Sequence, residues 1–247
     1  MTLHDAVTIG VAACALPTLL WLLFIPAPYG RHGRAGWGPT LGPRTGWILM
    51  ESPAVFAFLG FFLLGPNRGD PVPMLFAGVW LLHYVYRTLI FPFRIHSTRR
   101  MPAAIALTGF GFNFANAFIN AHQVSTVGDY SGWFADPRLA LGLAIFGIGW
   151  GINHHADHVL LHLRAPGETG YRIPQGGLYR FVSCPNYFGE MLEWLGWAVM
   201  TWSFAGAAFF VFTVANLLPR ARTHHAWYLR TFPEYPKERW ALIPGIF

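Results

Sequence analysis

The stretch G-I-N-H-H-A-D-H-V-L-L-H-L-R, residues 151–164, is rich in side chains that can bind metals or polar ligands. Its histidines His154, His158 and His162 are four residues apart, so on a helix their imidazoles share one face. Imidazoles spaced in this way can ligate zinc or iron. A metal centre is therefore one chemistry that the stretch allows.

A second polar stripe lies on another face of the same helix. Asn153, Asp157 and Arg164 fall within roughly 40° of one another at 100° per residue. A Gly/Pro-rich loop follows and carries Tyr171 and Arg172, and its glycines allow the backbone to approach a ligand closely. Together these residues offer hydrogen-bond donors, acceptors and positive charge to one ligand.

Two later segments repeat this arrangement at helical spacing. The first, at the start of an apolar tract, contains Asn186, Glu190, Glu193, Trp194 and Trp197. The second repeats every four residues and contains Arg220, His224 and Tyr228. Three such elements suit an elongated anion with ribose hydroxyls, an amide and aromatic rings, which indicates a dinucleotide. No G-x-G-x-x-G stands between a strand and a helix, so a Rossmann fold is excluded.

The metal alternative ranks second. Membrane di-iron enzymes usually have eight or more histidines in three groups, whereas the remaining histidines of this chain are scattered. No cysteine or glutamate completes an obvious zinc site. We therefore assign no residue as a metal ligand.

The elements that position these residues are apolar helices. Hydrophobic residues make up 54% of the 247-residue chain and charged residues only 11%, against about 25% charged in soluble domains. Several runs reach the roughly 20 apolar residues that a helix needs to cross a bilayer. The sequence predicts an all-α integral membrane protein that forms one domain over residues 1–247.

Basic residues set the predicted topology. The segments between apolar runs carry three, one, three, one and three Lys+Arg, and the tail carries five. Positive segments stay in the cytoplasm, so the last apolar tract must cross twice, with a turn near residues 203–206. Cytoplasmic loops then form the cofactor site, and the amino terminus lies outside. The seven predicted spans are 7–25, 46–64, 74–93, 103–121, 139–160, 186–202 and 205–220.

Other properties of the chain limit its partners. The first span lacks the basic start of a removable signal peptide. Cys14 and Cys184 fall in different compartments of this topology and cannot form a disulfide. The net charge of +6 favours membrane lipid or an anionic cofactor over nucleic acid. We expect a monomer in a bacterial inner membrane or the endoplasmic reticulum.

Polar residues inside the predicted spans indicate a reaction centre. A charged side chain such as Glu51 costs on the order of 2.5 to 3.5 kcal/mol on insertion scales. Tyr84 and Arg87 are three residues apart and share a helix face. A carboxyl, a phenol and a cation together can polarise a carbonyl group.

Two other patterns are interpreted as packing. The run G-I-G-W-G that ends at Gly151 suits close helix contact better than phosphate binding. The asparagines Asn113, Asn116 and Asn120 are interpreted as hydrogen bonding between helices, and we leave them outside the site.

Longer motifs support a resemblance to a known family. Residues 151–197 and 224–247 closely resemble steroid 5α-reductases. Shorter matches are Y-G-R-H at 29–32, M-E-S-P at 50–53 and H-Y-V-Y-R-T at 83–88. The resemblance implies a seven-helix membrane enzyme that uses NADPH to reduce the 4,5 double bond of a 3-oxo-4-ene steroid, with hydride going to C5.

The resemblance also implies residue roles. Glu51 and Tyr84 match the pair that holds the steroid ketone, with Arg87 and Trp194 assigned to the same substrate site. Met50 departs from the glutamine of animal members, which leaves the preferred steroid open. A reductase of another lipid enone or enoyl substrate, and a metal-dependent membrane hydroxylase, remain alternatives. The residues that match the NADPH site are Asn153, Asp157, Arg164, Tyr171, Arg172, Asn186, Glu190, Trp194, Arg220, His224 and Tyr228.

Overall fold

Helices form most of the protein in the computed structural model, which describes residues 1–95, 99–164, 168 and 170–247. Residues 165–167 and 169 of the Gly/Pro-rich loop lie outside the described residues. A π-helical turn at Tyr86–Ile90 joins the third helix to the fourth. The helices are α1 (Leu3–Phe24), α2 (Pro43–Leu64), α3 (Pro71–Val85), α4 (Phe91–Arg94), α5 (Ala103–His122), α6 (Pro137–Leu161), α7 (Pro185–Thr201) and α8 (Phe204–Thr231).

Strand structure is confined to one small pair in the described ranges. β1 (Thr40–Leu41) and β2 (Met101–Pro102) run antiparallel, with Leu41 opposite Met101. A Rossmann fold requires a parallel sheet with crossover helices. The predicted all-α class without a Rossmann fold is confirmed.

Four helices are long and apolar enough to cross a membrane, judged by length and composition over the described residues: Leu3–Phe24, Pro43–Leu64, Pro71–Arg94 and Phe204–Thr231. Large apolar side chains on these helices are exposed, including Leu16, Phe24, Phe56 and Leu64. Such a surface suits lipid rather than water. The chain is therefore an integral membrane protein. Helices α5, α6 and α7 cover the other three expected spans, but α7 has only 17 residues, and seven crossings stay a prediction.

The connections between long helices meet at two ends of the bundle. At one end, β1 and β2 pair the segment after α1 with the segment after α4, and Ser183 N–H donates to the carbonyl of Trp240 over 2.8 Å. At the other end, Asn67 N–H donates to the Ser125 carbonyl over 2.9 Å. Because successive connections alternate between these two ends, the arginine-rich connections lie together at one end of the bundle.

A turn divides the last apolar tract where the sequence predicts one, but the helix after this turn is longer than the predicted span. Helix α7 ends at Thr201, and Trp202 adopts a left-handed conformation with φ of 43°. Ser203 then caps α8, since its hydroxyl accepts from Gly206 N–H. The predicted span ends at residue 220, but α8 continues to Thr231 because its last turns bury polar side chains against loops.

Helices α6 and α7 pack backbone against backbone. A Cβ added at Gly149 would lie 2.6 Å from Glu193 N, and one added at Gly189 would lie 2.5 Å from Asn153 N. Only glycine permits this separation. The predicted packing role of the G-I-G-W-G run is confirmed at Gly149. The contact places the polar residues in the last turns of α6 beside the polar residues in the first turns of α7.

An aromatic core fixes α3 within the bundle. Trp80 is completely buried, stacks on Phe58 with ring centroids 4.6 Å apart, and donates from Nε1 to the Ala54 carbonyl over 2.7 Å. Its ring also lies 5.2 Å from Trp197 of α7. The core therefore orients the turn of α3 that follows Trp80.

Candidate active site

Glu51 lies on α2 and receives one side-chain hydrogen bond. The Asn113 amide of α5 donates to the Met50 carbonyl over 2.8 Å and to Glu51 Oε2 at 3.3 Å. From the π-helical turn, the Thr88 hydroxyl donates to the Glu51 backbone carbonyl over 3.3 Å. Asn113 thus hydrogen-bonds between α5 and α2, as predicted, and its amide also reaches the Glu51 carboxyl group.

Of the other two asparagines of that stripe, Asn120 hydrogen-bonds between helices as predicted, because Trp197 Nε1 of α7 donates to Asn120 Oδ1 over 2.7 Å. Asn116 instead bonds within α5, where its Oδ1 accepts from the Asn120 amide over 2.9 Å. Both asparagines are buried.

Tyr84 sits in an aromatic enclosure one turn beyond Trp80. It is 5% exposed, stacks on Trp194 at 5.3 Å and lies 4.9 Å from the Trp80 ring. Within the described residues its hydroxyl makes no hydrogen bond. Thr88, one turn beyond Tyr84, donates to the Glu51 backbone carbonyl, so the structure brings the predicted phenol and carboxyl into the same region of the bundle.

A buried hydrogen-bonded pair beside Tyr84 was missed from the sequence. His83 Nδ1 lies 2.7 Å from Glu193 Oε2, with the two side chains 2% and 0% exposed. The Glu193 Oε1 atom has no partner among the described residues. Helical spacing singled out Glu193, but nothing in the sequence gives the register between α3 and α7 that makes the pair.

Arg87 links three helices at the same level. Its guanidinium lies 3.5 Å from Asp157 Oδ2 and 4.0 Å from Glu190 Oε2. The Trp47 and Phe91 rings flank it, each 4.9 Å from the guanidinium carbon. The cation therefore offsets two carboxylates of α6 and α7 in a largely enclosed site.

Two of the predicted polar stripes converge. Asn153 Nδ2 donates to the Asn186 carbonyl over 2.9 Å, and Asn186 Nδ2 donates to Asp157 Oδ1 over 3.3 Å. Asn153 Oδ1 is buried and has no partner among the described residues. Asn153, Asp157, Asn186, Glu190 and Trp194 thus share one wall, and an unused acceptor remains on it.

The third stripe meets the segment after α1, a contact that the sequence did not predict. We call Arg31, His32, Arg220, His224 and Tyr228 the cationic cluster. Arg31 donates to the Tyr228 hydroxyl over 3.2 Å, and His32 Nε2 lies 3.2 Å from His224 Nδ1. The only sequence signal for Arg31 and His32 is their place in the Y-G-R-H match.

Aromatic rings surround the cationic cluster. The Arg220 guanidinium carbon lies 5.2 Å from each of the Tyr29 and Tyr187 rings, and that of Arg31 lies 5.4 Å from the Tyr171 ring. No carboxylate pairs with Arg31 or Arg220 among the described residues, and Arg31 Nη1 is buried without a partner. The cluster is therefore able to hold an anion.

His32 stays neutral at pH 7 despite its position among cations. Burial, and then the charges of Arg31 and Arg220, lower the pKa of His32 to about 4. Protonation would add a further charge to a region that already holds two arginines. The positive charge of the cluster at neutral pH thus comes from its arginines.

Arg164 and Arg172 do not join either group in the described structure. Arg164 donates to the Gly170 carbonyl over 3.0 Å, and Arg172 pairs with Glu168 at 2.6 Å. Both arginines are exposed. Their predicted cofactor contacts stay a prediction.

The histidines that suggested a metal make local contacts instead. His154 Nδ1 lies 3.1 Å from the Trp150 carbonyl, and His162 Nδ1 lies 2.8 Å from the His158 carbonyl. In the part of the chain that the structure describes, no three histidine, cysteine or acidic side chains come together as metal ligands.

A half-buried carboxyl and an enclosed phenol lie between apolar helices, with a polar wall and the cationic cluster toward one end of the bundle, and this arrangement is typical of a membrane enzyme that acts on lipophilic substrates. The 3-oxo-5-alpha-steroid 4-dehydrogenase family model matches residues 99–247. The chain is 46% identical to steroid 5-alpha-reductase DET2 of Gossypium hirsutum, covering 94% of this chain and 93% of that protein. It is 40% identical to 3-oxo-5-alpha-steroid 4-dehydrogenase 1 of Bos taurus, with the same coverage of each.

The chain therefore belongs to the steroid 5-alpha-reductase family. It is an oxidoreductase of steroid metabolism that resides in a membrane. The predicted resemblance is confirmed along nearly the whole chain.

Proposed function

We propose that this enzyme uses NADPH to reduce the 4,5 double bond of 3-oxo-4-ene steroids, with Tyr84 and Glu51 binding the ketone oxygen. The names of its relatives, steroid 5-alpha-reductase and 3-oxo-5-alpha-steroid 4-dehydrogenase 1, refer to steroids of this kind. One observation carries the residue assignment: the Tyr84 hydroxyl makes no hydrogen bond among the described residues, and Thr88, one turn beyond Tyr84, contacts Glu51. The phenol O–H is therefore free to donate to a ligand beside Glu51.

The chemistry explains why these two groups are needed. An enone accepts hydride at its β-carbon only if the negative charge that develops on oxygen is stabilised. Tyr84 donates a hydrogen bond to that oxygen, and Glu51 donates a second when it carries a proton. Fixed donors in a site without water stabilise such charge most strongly. Trp194, stacked on Tyr84, keeps the phenol in place.

The residues present fit NADPH. When bound, NADPH supplies the hydride. The cationic cluster would hold its phosphates, because Arg31 and Arg220 have no carboxylate partner among the described residues. Asn153 would accept from an amide through its unused Oδ1.

Two substitutions test the assignment of the ketone site. We expect Tyr84→Phe and Glu51→Leu each to lower kcat by about 100-fold, the scale of losing one oxyanion donor, while the Kd for NADPH stays within threefold. Tyr130→Phe is the matched control, since that hydroxyl donates to the Thr201 carbonyl, away from Glu51 and Tyr84, and its turnover should stay near wild type. Wild-type turnover in either site variant would refute the assignment.

Substrate range is tested separately with the purified protein in lipid nanodiscs. Turnover is compared for testosterone, progesterone and an enoyl thioester of similar length. The proposal requires reduction of the 3-oxo-4-ene steroids. Preference for the thioester would instead indicate a reductase of another lipid enoyl substrate that uses the same cofactor.

A further inference from the structure

Asn113 presents an amide to Glu51 from a different helix. Its side chain is 7% exposed, and its Nδ2 is shared between the Met50 carbonyl at 2.8 Å and Glu51 Oε2 at 3.3 Å. An amide nitrogen carries two hydrogens, so each acceptor takes one. The short bond to the backbone fixes the amide, and the second hydrogen is then directed at the carboxyl group.

No neighbouring side chain on α2 takes this role. Met50 precedes Glu51, and a thioether donates no hydrogen bond. The Met50 side chain instead packs on α5, because a Cβ added at Gly109 would collide with Met50 Cγ. This close contact holds α2 against α5 within one turn of Asn113, and it fixes the distance between the amide and the carboxyl.

We propose that Asn113 is a positioning residue that orients the Glu51 carboxyl group for the ketone. Its bond to Oε2 leaves Oε1 as the atom available to the substrate, since Oε1 makes no hydrogen bond among the described residues. The inference rests on the proposed role of Glu51 in the ketone site. It predicts that loss of the Asn113 amide acts on turnover and not on cofactor binding.

The test compares purified Asn113→Ala and Asn113→Leu with the wild type in nanodiscs. Leucine nearly preserves the side-chain volume and removes the donor, so it covers the case in which alanine folds poorly. We expect kcat to fall about 10-fold, which is the scale expected when a hydrogen bond is lost to a group that is charged or becomes charged during the reaction. The KM for steroid should rise less than threefold, and the Kd for NADPH should not change.

Asn116→Ala is the matched control. It removes a buried asparagine of the same helix that bonds Asn120 and not Glu51. We expect a similar loss of thermal stability with kcat within twofold of wild type. If the Asn113 variants lose no more kcat than this control, or if they weaken NADPH binding in proportion, the positioning role is wrong.

A double-mutant cycle separates this inference from the function on which it rests. If Asn113 acts through Glu51, adding Asn113→Leu to Glu51→Leu should lower the residual single-turnover rate less than twofold. A full additional 10-fold loss would overturn the inference while the ketone site stands. Wild-type turnover in Glu51→Leu alone would instead refute the ketone-site assignment on which the inference rests.

Discussion

At the residue scale, two consecutive residues of α3 contact two consecutive residues of α7. His83 bonds Glu193, and Tyr84 stacks on Trp194. A buried polar group is costly unless it is hydrogen-bonded, so this contact favours the one register between the helices in which both side chains are paired. That register also places the phenol. The pair thus supports the reaction centre without contacting the substrate in this account.

The hydrogen-bonded pair gives a stability prediction. His83→Leu or Glu193→Leu alone should destabilise the protein by about 1–3 kcal/mol, because one polar group is left buried without its partner. The double Leu variant should recover most of that loss. Thermal unfolding in detergent measures both effects. Additive losses in the double variant would show that the two side chains do not act as a pair.

At this scale, the sequence predicts which side chains share a face when all of them lie on one helix. Asn153 and Asp157 fall on one face because they are four residues apart, and Asn186 and Glu190 do so for the same reason. The contact between Asn113 and Glu51 depends on the register of α5 on α2, which no local spacing contains. Arg31 was missed for the same reason, as its partners lie almost two hundred residues away in the chain.

At the element scale, the glycine contact between α6 and α7 sets the width of the polar wall. Gly149 and Gly189 let the two backbones touch, which allows Asn153 to reach the Asn186 carbonyl. Hydropathy predicted both helices well, because each contains an apolar run. The span that hydropathy predicts ends at residue 220, whereas α8 continues beyond its apolar residues into the cationic cluster.

A glycine substitution tests the helix contact. Gly149→Ala should lower the apparent melting temperature by several degrees and reduce NADPH affinity at least threefold, because the added Cβ meets Glu193 N and Gly189 O. Gly147→Ala, on the same helix, meets nothing within 4 Å and serves as the control. Equal behaviour of the two variants would contradict the close packing.

At the scale of the whole molecule, the basic connections gather at one end of the bundle. The segment after α1 contacts the end of α8 through Arg31 and Tyr228, as expected if both face the cytoplasm. Seven crossings, these orientations and a monomeric state remain predictions of the sequence.

The stability of this end should depend on pH through His32. Its folded pKa of about 4 lies below the usual value of 6.5, so the unfolded chain binds more protons between these values. Stability should therefore be fully present above pH 6.5 and decline as the pH falls toward 4. His32→Gln should flatten this part of the melting-temperature profile. An unchanged profile in the variant would assign the decline to other groups.

The central claim is that hydride passes from NADPH to C5 of a steroid enone at the site of Tyr84 and Glu51. The most direct measurement incubates the purified protein with testosterone and with NADPH deuterated at both C4 positions of the nicotinamide. We predict a saturated 5α product with one deuterium at C5 for each NADPH oxidised. A saturated product without that deuterium, or no NADPH oxidation with any 3-oxo-4-ene steroid, would contradict the account.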